Sequence, residues 1–206
     1  MEIHATRARL TVSAALTVTS ILAACSGRTS GPGNAGGAVG APCTPSVEGL
    51  PTFAGFGPTE VSVEDNNSTC ASGICLVNHF QGLTTCPYGQ DAQGNAPAGA
   101  SACLTPGTSE RVVPAPTAAV PPWCSDRTPA VAVTCSCRCA NADGKTGDGA
   151  AYCTCGSGFT CTQLVSFVGA GNQQLAGAYC VASGSAYDPG ASCATTCAPG
   201  AHACSR

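Results

Sequence analysis

Apolar residues in this chain come in short bursts rather than long runs. Ile74-Cys75-Leu76-Val77 and Leu83-Thr84-Thr85-Cys86 read as two short strands joined by Asn78–Gly82, a small hairpin turned away by Pro87-Tyr88-Gly89. From Ala130 to Ala140 the sequence AVAVTCSCRCA alternates with period two, the turn-rich NADGKTGDG follows, and Ala150–Cys155 completes a predicted β-hairpin. Strand side chains alternate faces, so Cys135, Cys137 and Cys139 share one face, as do Cys153 and Cys155. Two arrangements fit. Either Cys139 pairs with Cys153 and Cys137 with Cys155 across the hairpin, or, as we prefer, the five sulfurs face the module interior and bridge to Cys124, Cys161, Cys180, Cys193, Cys197 and Cys204. Phe159–Val168 and Ala178–Ala182 predict further strands, and helix signals are poor throughout. The fold class is therefore mainly β, in small disulfide-rich modules with short strands and many loops.

Composition changes the picture of what holds those strands together. The longest apolar run, Leu10–Ala24, is interrupted by Thr11, Ser13, Thr17, Thr19 and Ser20 and is shorter than the ~20 residues of a membrane-spanning helix. Preceded by Arg7 and Arg9 and followed by small residues, it has the layout of a secretory signal peptide. Without Met1–Ala24, 182 residues remain, of which only 25 are Leu, Ile, Val or Phe. Such a chain buries too little surface to offset a backbone entropy cost of about 1 to 2 kcal/mol per residue. Disulfides supply the missing constraint, since the chain has 17 cysteines.

The run Leu22-Ala23-Ala24-Cys25 resembles the lipobox of bacterial lipoproteins. That resemblance implies cleavage before Cys25, lipidation of its thiol and amine, and membrane attachment through acyl chains such as palmitate. By the enterobacterial rule, Ser26 after the cysteine implies the outer membrane, hence a cell-envelope location. Cys25 set aside, an even sixteen cysteines remain for disulfides: Cys43, Cys70, Cys75, Cys86, Cys103, Cys124, Cys135, Cys137, Cys139, Cys153, Cys155, Cys161, Cys180, Cys193, Cys197 and Cys204. Residues 25–42, rich in Gly, Ser and Pro, read as a disordered tether. A boundary near residue 98 leaves four cysteines before it and twelve after, so that modules 43–98 and 99–206 can each close on themselves. Cys153–Cys161 resembles the end of an epidermal-growth-factor-like module in style, and the region from Cys70 onward is similar to cysteine-rich exported proteins of myxobacterial type.

Charge and motifs narrow the chemistry. After Cys25 there are five arginines and Lys145 against ten acidic residues, which argues against nucleic-acid binding. Gly144-Lys145-Thr146 lacks the upstream glycine of a phosphate loop, and Asn141, Asp143 and Asp148 lack calcium-loop spacing. No Cys-x-x-Cys occurs, and no Gly-x-Ser-x-Gly. The reading is a non-catalytic envelope protein with a binding or structural role and with no metal or cofactor. It attaches to the membrane through lipid on Cys25 and meets a protein or glycan ligand at loops carrying His79, Phe80 and Trp123. The alternatives are an envelope hydrolase using His79 and a protein binding metal through reduced thiolates.

Overall fold

The computed structural model describes residues 36–113, 119–124, 126–166 and 173–187. Cys25, Cys193, Cys197, Cys204 and most of the predicted tether lie outside the described residues. No helix among those described is long and apolar enough to cross a membrane.

The mainly β class holds. Six strands form two antiparallel three-stranded sheets: β1 (Val61–Glu64), β2 (Ile74–Asn78) and β3 (Val133–Ser136) in the order β1-β2-β3, and β4 (Arg138–Ala140), β5 (Phe159–Val165) and β6 (Gly177–Ala182) in the order β4-β6-β5. The only α-helix among the described residues is α1 (Pro129–Ala132), one turn opened by a proline at its first position.

Period-two alternation explains how the sheets stack. Val61, Val63, Ile74 and Leu76 point to the side of the first sheet that meets Leu164, Val165, Tyr179 and Val181 of the second. The opposite side of the first sheet carries Cys75, Val77, Val133 and Cys135, which pack with Phe56 and Phe80 and are flanked by Trp123. The far side of the second sheet buries Cys139, Ala140, Ala178 and Cys180 against Cys137, Cys153, Cys155 and Phe159. The result is a two-sheet sandwich with an apolar layer outside one sheet and a sulfur layer outside the other. At Gly177, φ is +148° and a Cβ would lie 2.2 Å from the Ala140 carbonyl oxygen, so only glycine lets β6 approach β4 this closely.

Six bridges join described cysteines: Cys43–Cys75, Cys70–Cys135, Cys86–Cys103, Cys137–Cys153, Cys139–Cys161 and Cys155–Cys180. Cys124 is disulfide-bonded as well, to none of these twelve. The bridges form two interleaved sets that meet at Ser136. The expectation that the chain closes separately on either side of residue 98 fails, because Cys70–Cys135 and Cys86–Cys103 both cross that point. Pairing of β2 with β3 ties the two stretches together as well.

Three local expectations are corrected. Leu83–Cys86 is not a strand paired with β2; it forms a turn closed by Cys86 N–H donating to the Leu83 carbonyl, and β2 instead lies between β1 and β3. The 130–140 run is not one strand of a hairpin with 150–155. It divides into α1, β3 and β4, and the chain passes from one sheet to the other at Cys137. Both hairpin cross-strand bridges are absent; Cys139 and Cys155 reach Cys161 and Cys180, as in the preferred arrangement, whereas Cys137 pairs with Cys153 and Cys135 with Cys70. Finally, residues 36–42 are part of the body rather than tether: Gly37 bridges Cys70, and Cys135 N–H donates to the Ala41 carbonyl. By contrast, the strands predicted at 159–168 and 178–182 correspond to β5 and β6, paired antiparallel through Cys161 and Cys180.

Candidate functional site

Where β2 ends, the first sheet stops short of the second and leaves a cleft. His79 follows with φ +54°, a left-handed conformation uncommon outside glycine. Its N–H donates to the Glu60 carbonyl at 2.8 Å, and Nδ1 lies 3.3 Å from the Pro58 carbonyl. A carbonyl only accepts, so Nδ1 carries the proton and Nε2 is left as an acceptor. The imidazole stacks on Tyr187, with ring centroids 3.7 Å apart and planes 5° from parallel. Burial, with a smaller push from the Arg127 charge, lowers His79 below the ordinary imidazole value and keeps it neutral near pH 7; the Pro58 hydrogen bond offsets this in part.

Arg127 is the clamp behind this corner. Its guanidinium is buried and donates to the carbonyls of Asn78, His79 (3.3 Å) and Ser185 (2.5 Å), fastening the end of β2 to the segment after β6. These bonds are charge-assisted and hold both walls of the cleft.

The cleft has a volume of about 330 Å³, and its walls include Asn78, His79, Thr160, Thr162, Ser183 and Tyr187. Asn78 lies opposite Val61 in the β-ladder, so its side chain shares the face that looks toward the second sheet. It is 4% exposed, and its Oδ1 has no hydrogen-bond partner. An amide oxygen held from water without a donor costs about 1 to 3 kcal/mol. A second cleft of similar size, lined by Ser46, Ser62 and Glu64, has no comparable orphaned group among its described residues.

His79 therefore stands at a recess, as a contact residue would. Phe80 does not: it is 0% exposed and packs between Phe56 and Trp123, with centroids 6.5 and 6.2 Å away, so it belongs to the core. The cause is the turn at His79, which sends the next side chain inward. Trp123 is half-buried and donates Nε1–H to the Leu83 carbonyl at 2.6 Å, a packing and pinning role.

Three groups of three cysteine sulfurs, Cys43/Cys70/Cys135, Cys137/Cys153/Cys180 and Cys139/Cys155/Cys161, lie with their sulfurs within 4.8 Å of one another. Each group contains a bonded pair, and its third member is bonded elsewhere, so as folded these sulfurs are disulfides and not thiolate ligands. The Asn141–Asp148 turn satisfies itself. Asn141 Oδ1 accepts from the Asp143 and Lys145 N–H groups, and Asp148 accepts from Asn141 and the Tyr152 hydroxyl, bonds that hold the Asp148 carboxyl down at about 2.

Sequence reasoning missed Arg127, Tyr187 and Glu48. Scarcity of cations offered a faint signal for Arg127, because an arginine in so weakly charged a chain has few surface roles to fill. Nothing local marks Glu48. It is 1% exposed and accepts from the Thr84 N–H at 3.0 Å and from the Thr84 hydroxyl at 2.5 Å; burial raises its carboxyl from 4.5 to about 7 against those two hydrogen bonds.

No protein-family model, curated protein or solved structure matches this chain.

Proposed function

We propose that this is a lipid-anchored, disulfide-stabilised protein of the bacterial cell envelope, held at the outer membrane through Cys25, with a non-catalytic binding role centred on the cleft beside His79. The observation that carries the reading is the cross-linked scaffold under that cleft. Six disulfides accord with folding in an oxidising compartment outside the cytoplasm, and a rigid recess spares a ligand the cost of ordering it. The setting of His79 supports contact over proton transfer, since Nδ1 donates to a carbonyl where a hydrolytic triad has a carboxylate.

The test is fractionation combined with alkylation. The intact protein should partition with membranes, and Cys25→Ser should appear in the soluble fraction. Mass spectrometry should show sixteen added alkyl groups only after reduction, the count expected when every cysteine but Cys25 is bridged. A Cys25→Ser variant that stays with the membrane would overturn the anchor, and alkylation without reduction would overturn the oxidised scaffold.

A further inference from the structure

We infer that the cleft beside His79 is a saccharide site: it takes a neutral, hydroxyl-rich ring, with the Asn78 side chain as the polar group at its floor. This rests on the binding reading above and names the class of ligand.

Four observations converge. First, Asn78 Oδ1 is a buried acceptor without a donor, on the face of the first sheet that looks into the cleft. Buried polar groups in folded proteins are nearly always satisfied, and a ligand hydroxyl or amide N–H is the natural donor here. Second, the opposite wall carries hydroxyls. Thr160 Oγ1 and Ser183 Oγ lie 3.1 Å apart and share one hydrogen bond, while Thr162 Oγ1 reaches only the Thr160 carbonyl at 3.4 Å. A hydroxyl both donates and accepts, so this wall matches a partner whose own groups do the same.

Third, the His79–Tyr187 stack gives the cleft an aromatic boundary that is only half-buried. An aromatic surface set among a few placed polar groups is the usual build of a small-molecule site, and the C–H face of a sugar ring packs on such a surface. Fourth, no Asp, Glu, Lys or Arg is among the described lining residues of the cleft. Arg127, behind the cleft, directs its N–H groups to three backbone carbonyls. Among the described residues, neither a phosphate nor a carboxylate finds a counter-charge there. At about 330 Å³ the space is at the small end for ligand sites, suited to a ring or a short oligosaccharide end rather than a folded partner.

The experiment is a titration of the purified full chain, disulfides intact, with glucose, galactose, N-acetylglucosamine and its dimer, followed by amide shifts and by saturation transfer from the His79 and Tyr187 rings. At least one of these sugars should shift Asn78, Thr160, Thr162 and Ser183 together. Asn78→Leu removes an oxygen that makes no bond within the protein, so it should keep or raise the melting temperature while weakening the sugar at least tenfold. Thr162→Val should weaken it several-fold with the fold intact. Equal binding by wild type and both variants would overturn the assignment. A peptide that shifts the cleft when no sugar does would overturn it too and leave the binding reading standing, whereas a cleft silent to every probe would remove both.

Discussion

The layers outside the two sheets solve the same problem with different materials. Around Phe80, four aromatic rings contact one another in series, Phe53 edge-on to Phe56 at 4.9 Å, Phe56 to Phe80 and Phe80 to Trp123, and Val77 and Val133 complete a hydrophobic cluster that two bridges reinforce. Around Cys180, the buried residues are two cysteines and two alanines, and Phe159 is the one aromatic packed against them. Three bridges converge there, with Cys180 Sγ 3.7 Å from Cys137 Sγ and 3.6 Å from Cys153 Sγ. One layer gains stability by removing apolar surface from water. The other does so chiefly by limiting what the unfolded chain can do, with the sulfurs themselves as filler. A chain poor in large aliphatic residues can thus build a sandwich by placing those it has between the sheets and on one outer side, and covering the other outer side with sulfur.

The largest effect is expected from Phe80→Ala, which should cost about 3 to 5 kcal/mol with every bridge still closed, because a fully buried ring leaves a cavity. Urea unfolding under oxidising conditions measures it. A loss below 1 kcal/mol would mean that the aromatic layer is incidental and that bridges hold both sides. Next, Cys155→Ala with Cys180→Ala should cost about 3 to 4 kcal/mol, the chain-entropy value for a separation of 25 residues. Hydrogen exchange should then accelerate in β5 and β6 ahead of β1–β3. Uniform acceleration would show that the layers unfold as one and blur the contrast.

The smallest effect concerns the aromatic side alone. Folding raises the Glu48 carboxyl from 4.5 to about 7, so the folded chain binds the extra proton between those values. Stability should be fullest below pH 4.5 and fall by about 3 kcal/mol as the pH rises through 7. Glu48→Gln should flatten that slope. An unchanged slope in the variant would assign the pH response to another group.

What could be read in advance was local. β5 and β6 announce themselves by β-branched and aromatic residues bounded by glycines, and the Asn141–Asp148 turn by its composition. β1 went unread, because the four residues Val61-Ser62-Val63-Glu64 make too faint an alternation to stand out alone. The partnerships of β2 were not legible. Its neighbours come from 61–64 and 133–136, and strict alternation through 130–140 is equally consistent with one long strand or with two short ones in different sheets. What divides them is tertiary: Ser136 Oγ donates to the Cys180 carbonyl at 2.8 Å, where the chain leaves one sheet for the other. Cysteine parity likewise constrains how many bridges form, not which. At the site, His79 stood out by residue type, whereas Arg127 and Tyr187 join it only through folding, and Phe80 turned inward because of a backbone angle that no composition reveals.

The interleaving of the bridges has a consequence for resistance to proteolysis. Cys43–Cys75 overlaps Cys70–Cys135, and Cys137–Cys153, Cys139–Cys161 and Cys155–Cys180 overlap in series. A peptidase that cuts once anywhere from Cys43 to Cys135, or from Cys137 to Cys180, severs the backbone and releases nothing. The nicked chain remains one molecule, its cleft walls still joined, until a second cut falls within the same covalent loop.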